Sequence, residues 1–343
     1  VLSTMTILKN DYFRGFSLFE SMYRIDGIFN MRYIRVLDHL IVGCAMPKAN
    51  AIKKLLLKVL KEHQKKNAAI HWFCMREEPV IYVNNTPYVL RRYSVPYDNI
   101  EITGIDSNIV HKMEVQLKKD IYDEIKDNLL LVHDETLVKG TCVITHKWVE
   151  VEAVKTMREV YNIKSLIFHR VPISDERAPM PRLISYLYDT LCKVKGEMVL
   201  FFNCQMGRGR TTTFMILSYM TLIRNSLDTL PWETIEYRKP RFILIQQLLK
   251  FLPNARSSKK FADFAIDNFD HIENIRDIIE ELAKSSVTKN IEKAQAFLLR
   301  YMYVICFAEF ILGKETSFTD FLLNRPEIQE LVASNLNTDL KFI

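Results

Sequence analysis

No two of the six cysteines, at 44, 74, 142, 192, 204 and 306, form a C-x-x-C pair. That spacing argues against a zinc cluster or a disulfide framework, and it predicts reduced thiols in a cytoplasmic setting. The histidines at 71, 133, 146 and 169 lack metal-ligand spacing, so no metal is expected. Uninterrupted apolar runs of bilayer length are also missing. The longest candidate, Phe297 to Leu312, is broken by Arg300 and Glu309, and no transmembrane segment is expected. The first residues carry no basic segment followed by an apolar run and a small-residue cleavage site, so no signal peptide is read. Val1 in place of Met points to an excised fragment. Internal repeats and low-complexity tracts are not found within the chain.

The 343 residues are 48% hydrophobic and 26% charged, which fits a globular chain of one large or two smaller domains. The net charge of +6 is mild. It suits an anionic substrate where it is concentrated in one cleft. Lys53, Lys54, Lys58, Lys61, Lys65 and Lys66 make one helix face basic. This reads as a solvated face, and no nucleic-acid partner is expected.

From Asp38 onward, strand-like and helix-like segments alternate. Leu40–Cys44, Ala69–Met75, Leu129–Val132, Ser165–Phe168 and Met198–Phe202 read as strands, with a hairpin near 79–91. Ala51–Lys65, Ile109–Lys126, Val149–Tyr161, Arg182–Lys195 and Thr211–Ile223 read as helices. After residue 250 the pattern turns helical. The expected class is α/β, a central sheet flanked by helices with a helical C-terminal region. The expected divisions are an N-terminal extension at 1–37, a core domain at 38–250 and helices at 251–343.

One stretch concentrates chemistry: Met198-Val-Leu-Phe-Phe-Asn-Cys204-Gln-Met-Gly-Arg-Gly-Arg210-Thr-Thr-Thr. It reads strand, glycine-bearing loop, helix. In a tight loop feeding a helix N-terminus, backbone N–H groups converge on one anion. Gly207 and Gly209 are expected to supply the positive φ angles that turn those groups inward. The same field favours a thiolate at Cys204. Arg210 can grip two phosphate oxygens in a planar fork, and the Thr211 hydroxyl can steady the thiolate or assist its departure. Gln205, Met206, Gly207, Arg208 and Gly209 then surround the bound phosphate. None of the other five cysteines has Arg six positions on. A buried core cysteine, the plain alternative, leaves Gly-Arg-Gly-Arg unexplained.

Phosphoryl transfer of this kind also needs a general acid. Asp175, in the proline-flanked stretch His169-Arg-Val-Pro-Ile-Ser-Asp175-Glu-Arg-Ala-Pro179, is the candidate, with Glu176 second. The alternative for Asp175 is an ordinary loop or N-cap residue. Arg76, followed by Glu77 and Glu78, reads equally as a cleft-lining cation or as half of a structural ion pair.

These residues resemble the cysteine-dependent phosphatase superfamily, whose signature is a Cys-x5-Arg-Ser/Thr loop with an upstream Asp loop. Asn203-Cys-Gln-Met-Gly-Arg-Gly-Arg-Thr-Thr is similar to the loop of the paladin family, relatives of the protein-tyrosine-phosphatase-like phytases. Val1 to Gly15, Val42-Gly-Cys-Ala-Met-Pro47, Met75 to Asn84, Tyr88-Val-Leu-Arg91, Thr103-Gly-Ile-Asp106, Val132-His-Asp-Glu135, Arg170 to Asp175 and Arg300 to Phe307 look familial as well. The resemblance covers almost the whole chain. It implies a dual-specificity-like phosphatase fold and a transient phosphocysteine on Cys204, with Asp175 as acid and then base. It also implies an inositol polyphosphate as substrate and further repeats of the same kind in a longer protein; no cofactor is expected. Phosphoinositide or phosphoprotein phosphatase activity, or a weakly active phosphate-binding module, is the alternative. Many superfamily members have His before the nucleophile, whereas this chain has Asn203.

Overall fold

The computed structural model describes residues 5–11, 22, 24–65, 67–138, 141–269 and 273–335. Lys66 of the basic face, and much of the opening stretch from Val1 to Gly15, lie outside the described residues. In chain order the elements are β1 (Thr6–Asn10), β2 (Arg32–Val36), β3 (His39–Cys44), α1 (Ala49–Glu62), β4 (Ala69–Cys74), β5 (Val80–Val83), β6 (Thr86–Arg92), α2 (Ser107–Glu124), β7 (Leu129–Val138), β8 (Thr141–Glu150), β9 (Val154–Thr156), α3 (Met157–Val160), β10 (Leu166–Arg170), α4 (Pro181–Lys193), β11 (Met198–Asn203), α5 (Gly209–Ile223), α6 (Ile243–Phe251), α7 (Ala255–Asp267), α8 (Ile275–Ala283), α9 (Thr288–Leu312), α10 (Phe318–Leu323) and α11 (Pro326–Asn335). The class is α/β with a helical C-terminal region, as expected. Among the described residues, however, there are two sheets rather than one central sheet.

Two compact units are present. One comprises residues 1–34, 42–175 and 196–211, the other residues 35–41, 176–195 and 212–343. The five-stranded sheet has the order β10-β4-β11-β3-β2. Its strands β10, β4 and β11 run parallel. Every residue of β11 is buried, which is why the run Met-Val-Leu-Phe-Phe carries no polar alternation before Asn203. Trp72 stacks on Phe201 and Phe73 on Phe202 across the β4–β11 pair, with ring centroids 4.8 and 5.1 Å apart.

The six-stranded sheet has the order β8-β7-β1-β6-β5-β9. The expected hairpin near 79–91 is β5–β6, with Val80 opposite Val89. Strand β8 was not anticipated. It pairs antiparallel with β7 along its whole length, Leu129 opposite Glu150 through Val138 opposite Thr141. The helix expected over Val149–Tyr161 is instead the end of β8, then β9 and the single turn of α3. That turn starts at a capping box. Thr156 Oγ1 accepts from Glu159 N, and the Glu159 carboxylate accepts from Thr156 N. Leu117 and Ile121 of α2 join Leu8, Ile81, Val83, Tyr88, Leu130 and Val132 in one core cluster.

In the second unit, α9 has the length and composition to cross a bilayer, but 83% of its apolar window is buried inside the protein. Its charged residues find partners there. Glu309 accepts from Asn254 N and from Ser258 Oγ, at 3.1 and 2.6 Å, and Arg300 donates to the Arg177 carbonyl at 2.7 Å. Such internal pairing is how a core helix tolerates charge.

Candidate functional site

The loop from Cys204 to Arg210 leaves the buried end of β11 and runs into α5. Its start is pinned through Asn203. Trp72 Nε1 donates to Asn203 Oδ1 at 2.8 Å, and Met75 N donates to the Asn203 carbonyl at 2.8 Å. Asn203 Nδ2 donates to the Cys204 carbonyl at 3.3 Å. The residue before the cysteine thus ties the loop to β4 by an amide. Cys204 itself is buried, 3% exposed.

The loop carbonyls are occupied from outside. Gln205 O accepts from Met46 N at 2.9 Å, Met206 O from Asn30 Nδ2 at 2.8 Å and Gly207 O from Arg32 Nη1 at 2.6 Å. Carbonyls engaged from outside in this way are compatible with the anion-binding nest expected from the sequence. Gly207 makes the turn possible with φ +72°, and a Cβ there would lie 2.4 Å from Ala45 N and from the Cys44 carbonyl carbon. Gly209 departs from expectation. It is not among the positive-φ glycines and instead begins α5. Asn30, Arg32 and Met46 were not anticipated as loop clamps. Their backbone and side-chain donors act across a large sequence separation, and the sequence gives no local signal of it.

Arg210 is 4% exposed. Its Nη1 donates to the Ile173 carbonyl at 2.9 Å, and its Nη2 lies 2.8 Å from Asp175 Oδ1. Burial alone would lower the Arg210 pKa. The nearby Asp175 and Cys204 outweigh it and hold the guanidinium above its ordinary value. Thr211 is fully buried, and its Oγ1 has no hydrogen-bond partner among the described residues. Gln205, Arg208 and Gly209 are half-buried and Met206 is exposed.

The Asp175 segment is anchored on the loop after β4. Ser174 Oγ donates to Glu77 Oε2 at 2.7 Å and shares a hydrogen bond with Thr103 Oγ1 at 2.9 Å. Burial pushes the Glu77 carboxyl up, against the lowering effect of Ser174. Arg170 holds the same loop from the other side. It donates to the Arg76 carbonyl at 2.6 Å and to Glu114 Oε1 at 2.9 Å. Asp175 Oδ2 accepts from Asn99 Nδ2, and Asn99 Oδ1 accepts from Arg91 Nη2. Glu176, the second acid candidate, belongs to the other unit, where its carboxylate pairs with Lys293 at 2.7 Å.

Arg76 takes the second of its two expected readings. It is wholly buried, with Nη2 2.8 Å from Asp11 Oδ1 and Nη1 3.2 Å from Glu78 Oε2. Burial would lower its pKa, but these two carboxylates raise it. A guanidinium enclosed in this way, with two carboxylate partners, matches the ion-pair reading. The Asp11 carboxyl is pushed up by its own burial, partly offset by Arg76 and Arg91. Among the described residues no three His, Cys, Asp or Glu side chains are grouped to hold a metal ion.

Residues 73–222 match the PTP-like phytase family model, described as inositol hexakisphosphate. Among curated proteins the chain is similar to Paladin of Gallus gallus, 26% identical over 310 residues (81% of this chain, 34% of that protein), and to Paladin of Homo sapiens, 23% identical over 345 residues (85% and 39%). The chain thus spans about a third of the length of the curated relatives it matches. Among solved structures it is similar to the PTP-like myo-inositol phosphatase of Mitsuokella multacida in complex with myo-inositol-(1,3,4,5)-tetrakisphosphate. The TM-score is 0.59 at 14% identity, covering 95% of this chain and 48% of that one. A PTP-like phytase from Bdellovibrio bacteriovorus aligns with TM-score 0.52 at 15% identity over 88% and 93%. The chain is thus similar in sequence to the paladins, matches the PTP-like phytase family model over 150 of its 343 residues, and shares the fold of the PTP-like phytases.

Proposed function

We propose that this chain is a metal-independent phosphatase acting on phosphomonoesters of inositol polyphosphates. The carrying observation is the junction of three groups in one unit: the Cys204 loop, the Arg210 guanidinium that ends it, and the Asp175 carboxylate 2.8 Å from Arg210. In this reading the Cys204 thiolate attacks phosphorus while Arg210 and the loop N–H groups hold the equatorial oxygens. The S–P bond forms and the P–O bond breaks, and Asp175 gives its proton to the leaving alkoxide. Asp175 then takes a proton from water as that water attacks phosphorus. The S–P bond breaks and inorganic phosphate leaves, with the Thr211 hydroxyl donating to the departing thiolate. The buried Thr211 Oγ1 without a partner supports that last role. Arg208, beside Arg210 in the loop, supports a ligand with several phosphates. So do the description of the matching family model and the ligand named for the Mitsuokella structure.

Phosphate binding with little turnover is the second reading. The observation favouring it is that Asp175 already occupies Arg210. Phosphate release from a panel of inositol polyphosphates, phosphoinositide head groups and phosphotyrosine peptides, in chelator, separates the readings. The expected result is release from the inositol polyphosphates, abolished in Cys204→Ser while the variant still binds phosphate ligands. Asp175→Asn should lose roughly 10²–10⁴ in rate. Retained turnover in Cys204→Ser would place the chemistry elsewhere. Binding without release in the native chain would leave the module reading standing.

A further inference from the structure

Asp175 is gripped at both oxygens, and the two grips differ in kind. Oδ1 faces Arg210 at 2.8 Å, where an incoming phosphate competes for the same donor. Oδ2 faces the side-chain amide of Asn99, which phosphate does not contact through Arg210. The orientation of that amide is chemically forced. Arg91 can only donate, so Asn99 meets it with Oδ1 and has only its N–H2 left for Asp175. Arg91 is itself fixed. It is 1% exposed, its Nη1 donates to the Leu90 carbonyl at 2.9 Å and lies 3.5 Å from Glu78 Oε1, and Asp11 lies 3.9 Å from its Nη2.

We propose that Asn99, locked by Arg91, is a positioning residue that fixes which oxygen of Asp175 carries the transferable proton. This rests on the reading of Asp175 as the general acid. A protonated carboxyl has one hydroxyl oxygen and one carbonyl oxygen. The carbonyl oxygen of a carboxyl is the better acceptor, so the Asn99 N–H favours Oδ2 as the carbonyl oxygen. When phosphate takes over Arg210, the proton is confined to Oδ1, the oxygen on the phosphate side. The same amide stops the carboxyl from following Arg210 or rotating away. A donor charge-assisted from behind by Arg91 suits that task. Proper aim at the leaving oxygen matters because a displacement of about 1 Å can cost on the order of 10²-fold.

The test measures kcat/KM for an alkyl phosphomonoester, whose leaving group needs the proton, and for an aryl phosphate with a low-pKa leaving group. Asn99→Ala is expected to slow the alkyl substrate roughly 10- to 100-fold and the aryl substrate no more than about threefold, with orthovanadate affinity unchanged. Asn99→Asp, which cannot donate and repels Asp175, should show the same leaving-group pattern more strongly. It serves as the second variant if Asn99→Ala melts early. In an Asp175→Ala background, Asn99→Ala should add no further loss. An equal loss on both substrates, or a further loss in the Asp175→Ala background, overturns the inference and leaves Asn99 a structural residue. If Asp175→Ala itself shows no leaving-group dependence, the general-acid reading fails instead, and the two failures are told apart by that arm.

Discussion

Asp175 Oδ1 and Arg210 Nη2 stand 2.8 Å apart, so the carboxylate occupies the guanidinium that the loop offers to an anion. Arg210 donates to the Ile173 carbonyl through its other terminal nitrogen. An arriving phosphate must therefore displace Asp175 or share Nη2 with it. The Asp175 side chain is a third exposed, so solvent screens the pair and its worth is about 1 kcal/mol at most. Asp175→Ala should then bind inorganic phosphate or vanadate up to about fivefold more tightly than the native chain, even as turnover falls. Titration calorimetry at fixed salt reads this directly. Unchanged affinity would mean that the carboxylate yields without cost.

Gly207 governs the loop in two ways at once. Its φ of +72° lies in the left-handed region, and an added Cβ would meet backbone atoms of Cys44 and Ala45 at 2.4 Å. Gly207→Ala should destabilise the chain by about 2–4 kcal/mol, left-handed strain plus overpacking, and should abolish vanadate binding. Gly196 is the control. It has φ +84° with nothing within 4 Å of its Cβ position, so Gly196→Ala should cost about 1–2 kcal/mol of strain and leave binding intact. Chemical denaturation and vanadate titration of both variants check the pair. Equal behaviour would mean that contact with the Cys44–Ala45 backbone does not shape the loop.

What could be read ahead of the structure was local chemistry. Strand, loop, glycine, arginine and helix follow one another from Met198 to Ile223, and each leaves its mark on neighbouring residues. Asp175 was legible for the same reason, sitting in a loop between Pro172 and Pro179. Asn30 and Arg32 reach the loop carbonyls from 176 and 175 residues away, and Asn99 reaches Asp175 from 76 away. No periodicity or spacing encodes such contacts. Arg76 was ambiguous because the sequence cannot supply its burial; Asp11 and Glu78 decide it. The helix read over Val149–Tyr161 failed because a strand end, a three-residue strand and a one-turn helix share a window too short for either period to declare itself.

His71 Nδ1 and His169 Nε2 share a hydrogen bond of 2.9 Å in the buried face between β4 and β10. Burial first, and His71 second, pull the His169 pKa down from 6.5 to about 4. Burial also lowers His71. Both rings are thus held neutral in the fold, while the unfolded chain takes up protons near pH 6.5. Between pH 6.5 and 4 the unfolded state binds more protons, so stability falls as pH falls through that window and is fully present above it. His169 should account for about 2 kcal/mol lost between pH 7 and pH 5. Urea unfolding at the two pH values measures it, with His169→Asn expected to reduce the difference. A difference that survives the substitution would assign the titration to other groups.

Arg208 sits between Gly207 and Gly209, half-buried, next to the clamp at Arg210. On the proposed phosphatase reading, Arg210 and the loop amides already hold a single phosphate, so a second guanidinium in the loop gains most from a ligand with further phosphates within a Debye length. On that reading its charge contributes little to the chemistry at phosphorus, which makes it a discriminator of substrate class. Arg208→Ala is expected to raise KM for a highly phosphorylated inositol by roughly tenfold, equivalent to about 1.4 kcal/mol, and that for an aryl monophosphate by no more than about twofold, with kcat for both nearly kept. Polyphosphate binding should weaken steeply with added salt in the native chain and less steeply in the variant, because one of the screened contacts is gone. The measurement is a KM series at two ionic strengths for both substrates. If both substrates lose equally, or the salt slope is unchanged, Arg208 does not read extra phosphates. The polyphosphate assignment would then stand on family resemblance alone.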